Sequence, residues 1–264
     1  MRIALFTETY LPHINGVVTH VKILRDGLVQ LGHEVLVVTA DAGARHHYVE
    51  DGILHCPAHT SRRFYNYSLS LPISNSRLRL VREFAPDIIH IHNEFGIGMS
   101  GLLCAKILRV PLVYTLHTMY DDYIYYIAPK PFVKAATDVS HHYFKFIAKH
   151  SNALTGPSQK CQEYFRLTGL KKDVNVIPNA VEVDQFSPQE VPEEKKQELR
   201  EKCGIREGSM VACFVGRLGR EKSVDVLLEY WKAAVAPEDN IHLVVIGDGP
   251  VRPELEQQAQ ELGI

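Results

Sequence analysis

Residues 86–123, PDIIHIHNEFGIGMSGLLCAKILRVPLVYTLHTMYDDY, constrain the fold more than any other stretch of the chain. Two apolar runs, Ile88-Ile89-His90-Ile91 and Leu112-Val113-Tyr114-Thr115-Leu116, each stop at a polar cluster, and a helix-patterned stretch of small and apolar residues lies between them. Runs this short, bounded by Pro86-Asp87 and Val110-Pro111, predict strands buried on both faces of a parallel sheet. The unit is β-α-β, and ligands of such sheets gather just past the carboxyl ends of the strands. Those ends carry His92-Asn93-Glu94 and His117-Thr118, which is where any chemistry is expected.

The same alternation begins at the N-terminus. A strand at 2–6 leads through a polar loop to Asn15-Gly16, and a helix with apolar positions Val17, Val21, Leu24, Leu28 and Leu31 stops at Gly32 before a strand at 34–39. Strand, glycine turn and helix suit an anion, because the first amides of a helix are unpaired and carry the positive end of its dipole. Gly16 would let an anion approach the backbone; a glycine that only makes the turn is the alternative.

Residues 41–60 read as irregular, with a short strand at 52–56. The run Arg62-Arg63-Phe64-Tyr65-Asn66-Tyr67 and a helix at 74–84 interleave Arg77, Arg79 and Arg82 with Leu78, Leu80, Val81 and Phe84. This pattern fits either an anionic membrane surface or the solvated face of a covering helix. An insert at 119–150 is rich in tyrosine, then Pro129 and Pro131 open a helix with Lys130, Lys134, Lys145 and Lys149 against Asp138 as its only acid. Handling of an amphiphile and core packing of the tyrosines both account for it.

Strands at 153–155 and 173–177 complete about seven strands alternating with helices, a doubly wound sheet. Pro188, Pro192 and a cluster of acids then mark a break. A second unit follows: strand 210–215, loop 216–222, helix 224–235, strand 242–246, loop 247–250 and helix 251–262. The expected organisation is a first α/β domain at 1–183, a linker and helix at 184–204, and a second α/β domain at 205–264. The strands at 210–215 and 242–246 are apolar enough to be buried on both faces.

With 264 residues, 45% hydrophobic, the chain has enough apolar material for a proper core. A net charge of −2 gives no footprint for nucleic acid. No apolar run reaches the roughly 18 residues of a membrane span, and the opening MRIALFTETYLP is too short in apolar residues for a secretory signal, so a cytoplasmic location is expected. The five cysteines, without a C-x-x-C pair, read as reduced thiols.

Five ordered motifs give the chain a resemblance to the retaining glycosyltransferases of family four. They are Phe6-Thr7-Glu8-Thr9-Tyr10-Leu11-Pro12 with Asn15-Gly16-Val17, then Thr115-Leu116-His117-Thr118, Ile177-Pro178-Asn179, Gly216-Arg217-Leu218 with Glu221-Lys222, and Gly247-Asp248-Gly249-Pro250. His92-Asn93-Glu94-Phe95 with His117-Thr118-Met119-Tyr120-Asp121-Asp122-Tyr123 is similar to the bacterial branch that glucosylates diacylglycerol.

The resemblance implies a GT-B type fold with two Rossmann-like domains across a cleft, the first complete and the second partial here. It implies a nucleotide diphosphate sugar as donor, a lipid acceptor, no metal and no other cofactor, and a peripheral place at the inner face of the plasma membrane. Arg217 and Lys222 would grip the diphosphate, helped by Gly16, Gly247 and Asp248; His117 would contact the donor sugar; Glu94 and Tyr120 would serve the acceptor. Two charges fixed across one strand-helix turn suit that task, since they take up charge as the sugar bond breaks.

The pattern departs from the family in three places. Family members continue through further strands with a spaced pair of glutamates that hold the donor, and the pairs Glu190 with Glu198 and Glu221 with Glu229 are not that motif. The chain is therefore expected to be truncated, which leaves a non-catalytic fragment, or a family member with a non-lipid acceptor, as alternatives. Pro178-Asn179-Ala180-Val181-Glu182 replaces the usual Pro-Asn-Gly-Val-Asp, and Ser223 stands where a glycine usually follows Lys222.

Overall fold

The computed structural model describes residues 1–61, 67–121, 124 and 130–264. The basic-aromatic run at 62–66, Asp122-Tyr123 and residues 125–129 therefore lie outside the described residues. The chain divides into two compact units, Met1–Ala180 and Val181–Ile264.

The first unit opens with β1 (Arg2–Thr7), α1 (Gly16–Gln30) and β2 (Glu34–Asp41). Asn15 starts α1 by accepting the Val18 amide on its side chain at 2.9 Å, and Gly32 ends it in the left-handed region at φ +81°. Next come β3 (Tyr48–Glu50), β4 (Ile53–Pro57), β5 (His59–Ser61), β6 (Tyr67–Leu69), α2 (Asn75–Phe84), β7 (Ile88–Ile91), α3 (Gly96–Leu108) and β8 (Leu112–Thr115). The unit finishes with α4 (Val133–His150), β9 (Ala153–Gly156), α5 (Gln159–Leu167) and β10 (Asn175–Val176).

Eight strands form one sheet in the order β10-β9-β8-β7-β1-β2-β4-β3, parallel except for β3. Strand alternation distributes β1 between two cores. Ile3 and Leu5 join Tyr10, Val21, Val35 and Val37 on one face, while Ala4 and Phe6 join Ile89, Ile91, Tyr114 and Leu154 on the other. Each fully buried Val, Leu, Ile or Phe among them contributes roughly 1.5–3 kcal/mol. Gly101 of α3 lets that helix lie directly on β1 and β7, because a Cβ there would sit 2.5 Å from Ile91 Cγ2 and 2.9 Å from Phe6 Cγ.

Two expectations fail in this unit. Residues 41–60 are not irregular, since β3 pairs antiparallel with β4 and β5 pairs with β6. Polar side chains hold that edge: the Tyr48 ring stacks on its cross-strand partner His55 at 4.6 Å, and His55 Nδ1 meets Asp41 Oδ2 at 3.0 Å, so no apolar alternation announces it. Arg77 is not a surface cation. It is buried on the inner side of α2 and donates to Ser70 Oγ at 2.7 Å and the Leu71 carbonyl at 2.9 Å, whereas Arg79 and Arg82 are exposed.

The second unit carries α6 (Glu193–Lys202), β11 (Met210–Val215), α7 (Val224–Ala234), β12 (Ile241–Ile246) and α8 (Arg252–Leu262). β11 and β12 form a two-stranded parallel sheet. Phe214 and Leu243 turn toward a small core of Leu218, Val224, Leu228, Val251 and Leu255. These strands are not buried on both faces as their composition suggests, for Met210 is 68% and Val215 72% exposed. Apolar composition records what a strand tolerates, and a two-stranded sheet covers less than that.

Candidate active site

In the first unit three central strands stop side by side. Phe6 is level with Ile91 and Ile91 with Tyr114, so the residues that follow, Thr7-Glu8, His92-Asn93-Glu94 and Leu116-His117, emerge at one edge. Asn93 ties two of these ends together, accepting from Thr7 Oγ1 at 3.0 Å and from the Glu8 amide at 2.8 Å on the same oxygen. Glu8 then accepts the Ile97 amide at 2.7 Å and the Ser70 amide at 3.2 Å, placing its carboxylate at the positive end of α3. Burial pushes Glu8 up to about 7, against those two amides and the nearby Arg77 charge.

Glu94 is 2% exposed, and its two oxygens accept from Tyr114 at 2.8 Å and from Tyr120 at 2.7 Å. Burial raises it to about 7 despite these hydroxyls. Tyr143 of α4 donates to the Glu94 carbonyl, and the Tyr120 ring stacks on Phe144 at 4.8 Å. The sequence pair Glu94 and Tyr120 is thus in direct contact. The carboxylate itself is enclosed by tyrosines, so its immediate effect falls on Tyr120 and on the segment leading to α4. Core packing accounts for Tyr120 and Tyr143; the other tyrosines of the insert, Tyr123, Tyr125 and Tyr126, lie outside the described residues.

Beside this network four imidazoles meet. His92 Nδ1 lies 3.1 Å from His117 Nε2, the His20 ring lies 4.7 Å from that of His117, and His90 packs on His92 at 4.0 Å. Burial lowers His117 to about 3, with His20 adding to the effect, so it meets a ligand as a neutral imidazole. His20 stands on α1 one turn beyond Gly16, which brings Gly16 and His117 to the same corner. Gly16 is exposed, and a Cβ there would meet nothing within 4 Å. Asn179, from the Ile177-Pro178-Asn179 motif, hydrogen-bonds His20.

The remaining site residues gather in the second unit. The loops after β11 and β12 lie backbone against backbone: Leu218 donates to the Asp248 carbonyl at 2.9 Å and Val251 to the Leu218 carbonyl at 3.2 Å. A Cβ at Gly247 would fall 1.8 Å from the Gly216 carbonyl oxygen, so this contact requires glycine. Arg217 donates to Glu221 Oε1 from Nη2 at 2.8 Å and from Nε at 3.2 Å, which fixes the guanidinium. Lys222 ends a single 3-10 turn at Arg220–Lys222 and is exposed. Ser223 takes φ +50°, the left-handed conformation that a glycine adopts without strain and the physical reason for glycine there in the family. The Asp248 carboxylate accepts its neighbour Gly249 amide at 2.8 Å and pairs with Arg252 at 3.9 Å.

Of the residues in close contact with these clusters, Glu8, His92 and Glu221 lie inside the sequence motifs with no role assigned to them, and His20 carries no signal of its own in the sequence. Their partners are supplied by folding. The nearest available hint is the alternation His90-Ile91-His92, which puts two imidazoles on one side of a strand end.

A parallel α/β unit with a histidine-glutamate cluster at its strand ends, and a second with a basic glycine loop, are the components of a GT-B glycosyltransferase. Solved structures agree on the fold: a glycosyltransferase from Rickettsia africae superposes with a TM-score of 0.67 at 17% identity, covering 99% of this chain and 64% of that one. WaaG, a glycosyltransferase involved in lipopolysaccharide biosynthesis, gives 0.62 at 16% identity, covering 99% of this chain and 67% of that one.

The model of Glycosyltransferase Family 4 matches residues 14–185 and that of Glycosyl transferases group 1 matches residues 195–264, and the chain belongs to glycosyltransferase family 4. An alpha-monoglucosyldiacylglycerol synthase of Streptococcus pneumoniae is 30% identical over 264 residues, all of this chain and 59% of that protein. The protein of the same name from Acholeplasma laidlawii is 34% identical over 97% of this chain and 66% of its own length. A GDP-mannose-dependent alpha-mannosyltransferase of Mycolicibacterium smegmatis is 28% identical over 97% of this chain and 65% of its length. The chain thus spans about three fifths to two thirds of these relatives.

Proposed function

We propose that the protein transfers a hexose, glucose first among candidates, from a nucleotide diphosphate sugar to a lipid acceptor such as diacylglycerol, with retention at the anomeric carbon. One observation carries this reading: the similarity to two proteins named alpha-monoglucosyldiacylglycerol synthase runs across both the His92–Tyr120 region and the Arg217–Lys222 loop. The first unit is assigned to the acceptor and the second to the donor.

In the proposed reaction the bond from the anomeric carbon to the diphosphate breaks, the acceptor hydroxyl oxygen bonds to that carbon, and its proton passes to the departing diphosphate. Arg217, held by Glu221, and Lys222 offset the charge growing on the diphosphate, so the reading invokes no metal and no cofactor. Gly247 and Asp248 shape the same loop, Gly16 offers its helix start to an anion, and neutral His117 hydrogen-bonds the sugar. Tyr120, set by Glu94, flanks the acceptor.

The proposed location is peripheral, on the cytoplasmic face of an anionic membrane. Among the described residues no helix is long and apolar enough to cross a membrane. α4 instead presents Val139 and Phe146 outward, with Phe132 just before it and exposed Lys130, Lys134 and Lys149 around them. This stripe has the composition of a surface that rests on lipid headgroups.

A donor screen against diacylglycerol in anionic vesicles, read by product mass with UDP-glucose and GDP-mannose among the donors, tests the proposal. A hexosyl diacylglycerol is expected. A soluble glycoside formed in preference to any lipid product, with the same donors, would overturn the acceptor assignment.

A further inference from the structure

A neutral imidazole offers one lone pair, and three that converge make a metal site without any acid. His20 on α1, His92 after β7 and His117 after β8 each present a ring nitrogen within 4.8 Å of the other two. Their ring centroids are separated by 4.7, 5.4 and 5.5 Å. Three imidazoles bound tetrahedrally through bonds of about 2.0–2.1 Å hold their centroids about 5 Å apart, so the rings are already spaced for coordination. The shortest pair, His92 Nδ1 and His117 Nε2 at 3.1 Å, compares with about 3.3 Å for two nitrogens on one tetrahedral ion.

The fourth histidine is otherwise engaged. His90 Nε2 meets Thr115 Oγ1 at 2.6 Å, and its ring packs on His92 as a wall. His92 Nε2 is buried without a hydrogen-bond partner among the described residues, and Nδ1 is hydrogen-bonded to His117 Nε2 at 3.1 Å, a contact that a cation between the two nitrogens would replace. His117 and His20 are partly exposed, which leaves the cluster an entrance.

We propose that His20, His92 and His117 form a binding site for a borderline divalent cation such as Zn²⁺, with the fourth position open to water. An all-imidazole set selects Zn²⁺, Cu²⁺, Ni²⁺ or Co²⁺ over the oxygen-seeking Mg²⁺ and Ca²⁺. His117 is also the residue assigned above to the donor sugar, so a cation on it removes that contact and Zn²⁺ inhibits transfer in competition with the donor. This consequence rests on the proposed function; the site does not.

The test uses the tag-free, metal-stripped chain and Co²⁺ as a coloured probe. One equivalent is expected to give an intense tetrahedral absorption that Zn²⁺ displaces, and His20→Asn and His117→Asn should each weaken binding at least about tenfold. His141→Asn, which removes a histidine paired with Asp121 at 2.8 Å, should leave the Co²⁺ signal intact. Circular dichroism checks that each variant folds, and if His117→Asn does not, partly exposed His20 decides alone. An octahedral spectrum, or unchanged affinity in His20→Asn, overturns the site. Zn²⁺ binding with no effect on the KM for donor overturns instead the placement of His117 against the sugar.

Discussion

The Tyr120 hydroxyl donates to Glu94 Oε2 at 2.7 Å, and this bond fastens the segment after β8 to the end of β7. Removing one donor from a buried carboxylate costs about 1–3 kcal/mol, so Tyr120→Phe should lower unfolding free energy by that amount. With Glu94→Gln already present the same change should cost less. Urea titration of the two single variants and the double variant measures the coupling, and strictly additive losses would mean that the two side chains do not interact.

Arg217→Ala and Lys222→Ala should each lower turnover about a hundredfold or more with the fold intact, since one positioned charge on a developing anion is worth about 2.7–4 kcal/mol. Glu221→Gln loosens the guanidinium without removing it and should fall between wild type and Arg217→Ala. Steady-state rates with saturating donor decide; wild-type rates in both alanine variants would remove the assignment.

Glu8 should pull stability down as pH rises from about 4.5 to about 7, a contribution opposed up to about 6.5 by His90 and His117, whose burial lowers them and so makes stability rise with pH. Glu8 has its folded value raised from 4.5 to about 7, so between these values the folded state holds a proton that the unfolded state has released. The folded form is favoured in full below the unfolded value and loses that advantage, up to about 3 kcal/mol, as pH passes the folded one. Glu94, raised to about 7, acts in the same window. Glu8→Gln should therefore remove this downward contribution and make the pH slope of denaturation midpoints between about pH 5 and 7 more positive than in the wild type, and an unchanged slope would contradict the burial argument.

Ser223→Gly should stabilise the second unit by up to about 1 kcal/mol. A left-handed residue with a side chain costs roughly 1–2 kcal/mol, and the extra freedom of glycine in the unfolded chain returns part of that gain. A rise in the melting transition of this unit is the expected reading, and a fall would indicate that the serine side chain contributes more than its backbone costs.

Sedimentation with anionic vesicles should weaken as salt rises, because each lysine near such a surface is worth about 1 kcal/mol and is screened. Replacing Phe132 and Val139 with serine should lower binding at every salt concentration. Equal binding to neutral and anionic lipid would eliminate the electrostatic part.

The strand-helix order was legible because parallel strands announce themselves as short apolar runs ending at polar clusters. β7, α3 and β8 lie where the periodicity of 86–123 puts them. Pairing carried by polar rings was not legible, which is why the Tyr48–His55 edge looked irregular. Arg77 misled for a related reason: a long cation reads as solvated until a buried hydroxyl and a carbonyl are folded around its head. The Arg217 and Lys222 loop was legible as a motif, yet the role of Glu221 as the clamp on Arg217 was not, since an acid in a basic loop has many possible partners. The histidine cluster draws on positions 20, 90, 92 and 117; the alternation His90-Ile91-His92 links two of them locally, and nothing near His20 or His117 signals the rest.

At Gly96 a Cβ would stand 1.9 Å from the Ser70 carbonyl oxygen and 3.0 Å from Glu8 Oε1. Three loops, after β1, after β6 and after β7, therefore touch at a point that has no room for a side chain. They form a single evolvable block. Loop grafting aimed at a different acceptor must carry Glu8, Ser70 and Gly96 together, and divergence within the family at this corner should proceed by coordinated replacement of all three segments rather than by drift in any one.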